Sequence, residues 1–232
     1  MNPFQDKYNL TPEQNLFLAK KKWDENVYCG MKMENRNITF PQTQTILNGV
    51  NVPNVTLDDI QAVLNMRDAW KYLLKTVNDR LNIEYACKLN DFVSRNESLE
   101  WGVLRNGAVG ISGTDYIPPI PQKHILQNEL TDILSKKITN TEKAIDTFLW
   151  GCKTQMFWDG NKRTSLLLAN KILIKGGNGM LIIPENKMEK FNTLLNTFYT
   201  SFAQIENGSP AATENLKLFL FENAITGIEF QT

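Results

Sequence analysis

Phe157-Trp158-Asp159-Gly160-Asn161-Lys162-Arg163 sets an aromatic, a carboxylate, a glycine, an amide and two cations between two helical patterns. Before it, Ile145, Phe148, Leu149, Cys152 and Met156 recur at intervals of three and four, the period of one buried helix face. After it, Leu166, Leu167, Ala169, Ile172 and Leu173 form a second apolar side, stopped by Gly176-Gly177. A helix starting near Asn161 leaves free N–H groups and a positive dipole end at its first turn. Gly160 lets the backbone come close to a ligand, Asn161 can donate its amide, and Lys162 and Arg163 add charge. Arg163 can also fork onto phosphate oxygens. Asp159 beside them can hold a magnesium ion. Asp-Gly-Asn is equally a common turn, and Lys-Arg after it can be solvated charge; both readings stand at this level.

Working outward, the pattern is mostly helical. Thr11-Pro12-Glu13-Gln14 is a strong start signal, and the spacing predicts one helix from there through Trp23 toward Tyr28. Pro41 to Leu47 reads as a short helix. Thr56 caps a long one carrying Ile60, Val63, Leu64, Ala69, Leu73 and Leu74, and another runs from about Asn82 to Val93. Three glycines and three prolines between Gly107 and Pro121 exclude a helix there and predict a β-hairpin or flap over about 105–121. Helices resume at about Gln122, at Thr139 with a capping box, and over about Lys187–Phe202 and Pro210–Ala224. The fold class expected is all-α with a small β flap: an N-terminal helical segment, 1–55, and a core, 56–232.

The 232 residues carry a formal net charge of +0, with 42% hydrophobic and 22% charged residues. That is the composition of an ordinary globular protein and gives no electrostatic footprint for nucleic acid or an anionic membrane. No apolar run reaches the roughly 18 residues of a membrane helix, and Met1 to Lys7 holds no apolar signal core. Cys29, Cys87 and Cys152 are too few and too widely spaced for a disulfide framework or a zinc knuckle, so a cytoplasmic location is the natural reading. His124 is the only histidine, which excludes multi-histidine metal sites.

The stretch resembles the signature of the Fic/Doc (Fido) family, His-x-Phe-x-Asp/Glu-Gly-Asn-Gly/Lys-Arg, matched in order by Phe157, Asp159, Gly160, Asn161, Lys162 and Arg163. The Gly107–Pro121 segment resembles the family's flap, which clamps a target by strand pairing, with Gly110, Ile111, Ser112 and Gly113 at its centre. Glu34-Asn35 resembles the family's N-terminal inhibitory motif, although Gly30 stands where that motif has serine or threonine. The resemblance implies a transferase that moves AMP from ATP to a Ser, Thr or Tyr hydroxyl of a target protein docked on the flap. By the same resemblance Asp159 would ligate Mg2+, Gly160, Asn161, Lys162 and Arg163 would hold phosphate, and Glu34 would inhibit.

Two residues depart from the pattern. Gln155 stands where the family has its histidine base, and a carboxamide takes no proton near neutrality; loss of a general base lowers a rate roughly 10²–10⁴-fold. His124 and Asp115 are the substitute bases to test. Leu166 replaces an arginine that in many AMP-transferring members meets the terminal phosphates and the inhibitory glutamate. That brings the motif nearer to Doc-type members, which act as kinases. The readings left open are impaired AMP transfer, a Doc-like phosphotransfer, and a nucleotide- and protein-binding module without transfer. A toxin–antitoxin role restrained within one chain, and a homo-oligomer, are compatible with each.

Overall fold

A side chain able to accept from a backbone N–H stands just ahead of most helices. In the computed structural model, which describes residues 3–229, Thr11, Thr39, Thr56, Asn82, Thr139 and Ser209 each cap the helix that follows. Such caps satisfy donors that the first turn leaves free. The helices are α1 Pro12–Lys21, α2 Trp23–Met33, α3 Phe40–Leu47, α4 Leu57–Lys75, α5 Ile83–Val93, α6 Lys123–Ser135, α7 Asn140–Thr154, α8 Asn161–Gly176, α9 Met188–Gln204 and α10 Pro210–Ala224. The predicted first helix is two: Lys22 breaks it at φ −105°, ψ 18°. The halves have different partners. Asn15 bonds the Leu173 and Gly179 carbonyls at 3.3 and 2.9 Å, tying α1 to the end of α8, while α2 lies on α4. Gly30 allows that second contact, since a Cβ there would stand 2.9 Å from Met66 Cε.

α8 is buried on nearly every side, as a helix at the centre of a bundle must be. α7 runs back along it, and Gly151 lets the pair close up: a Cβ at that position would lie 2.3 Å from Ser165 Oγ. One hydrophobic cluster joins Ala19, Val27, Met31 and Ile46 to Trp70, Phe148, Leu167 and Phe191. Residues between Leu10 and Ile46 are thus packed into the same core as those between Ala62 and Ile225. The helical class is as expected, and among the described residues no helix is long and apolar enough to cross a membrane.

The flap is a correction. Residues 105–121 form no strand, and the two-stranded antiparallel pair lies elsewhere, with Met180 facing Thr226 and Leu181 facing Ile225. Buried Arg105 supplies the reason. Its guanidinium binds the carbonyls of Gly107, Pro118 and Pro119, which a hairpin would need for its ladder, and Pro118, Pro119 and Pro121 have no N–H to give. The segment is held as an extended loop with a turn at Ile111–Thr114, Gly113 standing at φ 84°.

Candidate nucleotide site

The turn between α7 and α8 is built by its own short-range bonds. Gln155 ends α7 in the left-handed region, φ 45°, ψ 60°, and Gly160 enters α8 at φ 70°. A side chain at Gly160 would strike Ser94 Oγ at 2.2 Å and Val93 Cγ1 at 2.7 Å, so glycine is required by both conformation and space. The Asn161 carboxamide closes the loop, donating to the Phe157 carbonyl at 2.8 Å and accepting from the Phe157 N–H at 2.9 Å. One N–H of its amide and its oxygen thus hold the loop closed. Phe157 is fully buried and anchors the turn. From below, Asn90 and Ser94 both donate to the Asp159 carbonyl at 2.9 Å.

A cavity of about 510 Å³ opens above this turn, between the end of α2, the flap and α9. It brings together Glu34, Gly110, Ile111, Ser112, Gln155, Asp159 and Lys162, which are spread over most of the chain. Gly113, Gly160, Asn161 and Arg163 do not line it. His124, exposed in the first turn of α6, and Asp115, exposed on the flap, lie outside it as well.

Charge in the cavity is already paired. Lys162 Nζ stands 3.2 Å from Glu34 Oε2 and donates to the Met33 carbonyl. Arg163, only 1% exposed, binds both Glu97 oxygens through Nη1 at 3.1 and 3.2 Å and the Val93 carbonyl at 3.1 Å. Its Nε faces Glu34 Oε1 at 3.6 Å. Glu97 in turn takes Arg36 and Asn65. Burial alone would push the Glu34 carboxyl up; Lys162, Arg163 and Arg36 outweigh it, and its pKa falls below the ordinary value. Burial likewise works against the Arg163 charge, and Glu34, Glu97 and Asp159 more than reverse it. Glu34 thus lies against the cations a phosphate would seek. Leu166, where that counter-ion arginine would stand, is buried in the core.

Gln155 folds back on its own helix, Nε2 donating to the Cys152 carbonyl at 2.7 Å. Its backbone carbonyl accepts from Arg105 Nε at 2.6 Å, so one arginine fixes both the flap and the end of α7. Around Gln155 the Tyr199 phenol is pushed well above its usual pKa by burial and then by Cys152, and the Cys152 thiol is pushed to about 12 by burial. Both hold their protons at neutral pH and neither can replace a base. The Asp159 carboxylate is half exposed to the cavity, one oxygen accepting from the Gly160 N–H. Among the described residues no cluster of three or more acids, histidines or cysteines exists. A single carboxylate still suits magnesium, which keeps several waters and takes its other ligands from substrate phosphates. Sequence reasoning missed Arg105, Glu97 and Tyr199, whose roles depend on distant partners. The i,i+4 pair Asn90 and Ser94 at a helix end was the one local hint.

These features define a helical domain with a glycine turn at a helix N-terminus, overhung by a loop. Residues 80–173 match the Fic/DOC family. The chain is 25% identical over 181 residues to the protein adenylyltransferase Fic of Drosophila willistoni, covering 74% of this chain and 36% of that one. The same figures hold for the Drosophila melanogaster protein. The chain thus spans about a third of the length of these curated relatives. Among solved structures, a Fic domain containing signaling protein from Bacteroides thetaiotaomicron superposes with a TM-score of 0.74 at 19% identity, over 92% of this chain and 88% of that one. Fic-1 from C. elegans gives 0.66 at 20% identity, over 94% and 62%.

Proposed function

We propose that the chain binds ATP with Mg2+ in the cavity above the turn and is an AMP transferase of low activity, slowed by Gln155 and gated by Glu34. The observation that carries this reading is the convergence of Asp159, Lys162, Gln155 and the flap on one cavity. The adenylyltransferase relatives point to the same chemistry. Asp159 would hold the metal, which neutralises adjacent phosphates when bound. Lys162 would turn from Glu34 to the nucleotide, and the first turn of α8 would face the phosphates with its positive end. Ile111 and Ser112 would lie along the target segment. In the transfer, the target hydroxyl oxygen bonds to the α-phosphorus, the bond to the β-phosphate oxygen breaks and pyrophosphate leaves. The hydroxyl proton finds no acceptor at Gln155.

A second reading, nucleotide binding without transfer, is favoured by the inward bond of Gln155 to Cys152. Incubating wild type and Gln155→His with α- and γ-labelled ATP, alone and with lysate proteins, separates the outcomes. We expect α-label transfer to rise roughly 10²–10⁴-fold in Gln155→His. Equal silence of both proteins would remove the missing base as the main defect. Transfer of the γ-label alone would replace AMP transfer by a Doc-like kinase reaction. Loss of ATP binding in Asp159→Ala, read by calorimetry, checks the site itself.

A further inference from the structure

We propose that a second cavity, at the opposite end of α8, binds a phosphate-bearing small molecule. This cavity, of about 680 Å³, is lined by Arg80, Lys143, Lys171 and Lys175 with Asp79 as its single carboxylate. Its volume lies within the range of small-molecule sites. Leu81, Leu134 and Ile172 give it an apolar wall against which an organic group can rest. It stands apart from the Fic turn: Lys171 follows Arg163 by eight residues, about 12 Å along the helix. The inference does not depend on what the turn does.

Charge compensation separates this place from most buried cations of the molecule; Arg105, 1% exposed, is likewise met by carbonyls alone, but those bonds fix the flap to the end of α7. Arg36, Arg163 and Lys217 are screened from water and each meets carboxylates within 4 Å. Lys171, 2% exposed, meets only the carbonyls of Thr76 and Val77, at 2.6 and 2.9 Å, and the face of Tyr85 at 4.1 Å. Among the described residues Arg80, Lys143 and Lys175 form no ion pair with any acid, and neither does Asp79. Burial lowers the Lys171 pKa to about 8, with Asp79 working against the shift and Lys175 adding to it. Buried charges are ordinarily paired. Four cations without a carboxylate within 4 Å around one apolar-walled cavity, one of them buried, in a chain of zero net charge, are complementary to a polyanion. Phosphate is the anion that uses several such donors at once.

The test is a titration of the full chain, labelled with ¹⁵N, with pyrophosphate and in parallel with AMP, at constant ionic strength. We expect saturable shifts of the Thr131, Lys143 and Ile172 amides with at least one probe. Arg80→Ala combined with Lys175→Ala, both exposed positions whose loss leaves the core intact, should weaken that binding at least about tenfold, since each charged hydrogen bond is worth roughly 1.5–3 kcal/mol. Asp159→Ala should leave it unchanged. Tighter binding of AMP supports an organic phosphate held by the apolar wall, and equal binding supports the phosphate itself as the recognised group. Absence of shifts at these residues, shifts retained in the double variant, or the same shifts from chloride at matched ionic strength would overturn the proposal.

Discussion

The two ends of α8 handle a buried cation in opposite ways. At its first turn, Arg163 is met by Glu97 and Glu34, so the charge is balanced inside the chain before any ligand arrives. Two turns further on, Lys171 is met by carbonyls alone, under a cavity that carries three more cations. A balanced cation must exchange partners in order to bind phosphate, and that exchange is a gate. An unbalanced one needs no displacement. On the readings proposed above, the same helix would present a site that the chain itself holds closed and a site that stands open.

The comparison breaks most sharply at Glu97. Removing one member of a buried ion pair leaves the other uncompensated, at a loss of about 3–5 kcal/mol. Glu97→Ala takes the nearest carboxylate from Arg163, leaving it Glu34 at 3.6 Å, and one of two from Arg36, which keeps Asp59, so the unfolding free energy from urea melts should fall by up to that amount. At the other end, Lys171→Met removes an unpaired charge and leaves two carbonyls without a donor. Its loss should be smaller, about 1–3 kcal/mol. An equal fall in the two variants would show that the two ends are not differently balanced.

A middle-sized effect is expected at Glu34, which competes with phosphate for Lys162 and Arg163. Glu34→Ala should tighten ATP binding about tenfold, the equivalent of roughly 1.4 kcal/mol, read by calorimetry with Mg2+ present. Unchanged affinity would remove the gate. The carboxyl also carries a pH signature. Its folded pKa lies below the ordinary 4.5, so its stabilising contribution is complete above about that pH and is lost as pH falls through the lowered value. Wild type should therefore lose stability in acid more steeply than Glu34→Ala.

What was legible in the sequence is what short-range chemistry decides. Thr11, Thr56, Thr139 and Ser209 act within three residues of themselves, and the helices they open are where periodicity put them. The turn at 155–163 was visible for the same reason. Roles set across the fold were not visible. The break at Lys22 follows from α1 and α2 having different neighbours, which no local propensity records. The flap lost its ladder to Arg105, a residue whose partners within the flap lie up to fourteen positions away and whose other partner, Gln155, lies fifty away. Asn161 suits a ligand donor by type, and its bonds to Phe157 four residues earlier add a role in closing the loop that its type alone does not reveal. Glu34, with its usual arginine partner replaced by Leu166, had no partner visible in the sequence. Lys162 and Arg163 supply the partners.

The smallest expected effect tests the open end of α8 without any ligand. Lys171 has a folded pKa of about 8 against an ordinary 10.5, so between these values the unfolded chain binds more protons than the folded one. Stability must then rise with pH across that window, because the folded state sheds a charge it holds poorly. The gain should be on the order of 1 kcal/mol once partial solvation of the ammonium is allowed for. Urea melts of wild type and Lys171→Met at pH 7.5 and pH 9.5, about 1 unit inside the titration of ordinary lysines, should show the gap between them shift in favour of wild type as pH rises. A gap that stays constant would mean that the Thr76 and Val77 carbonyls compensate the ammonium as fully as Glu97 compensates Arg163, and the asymmetry of the helix would be lost.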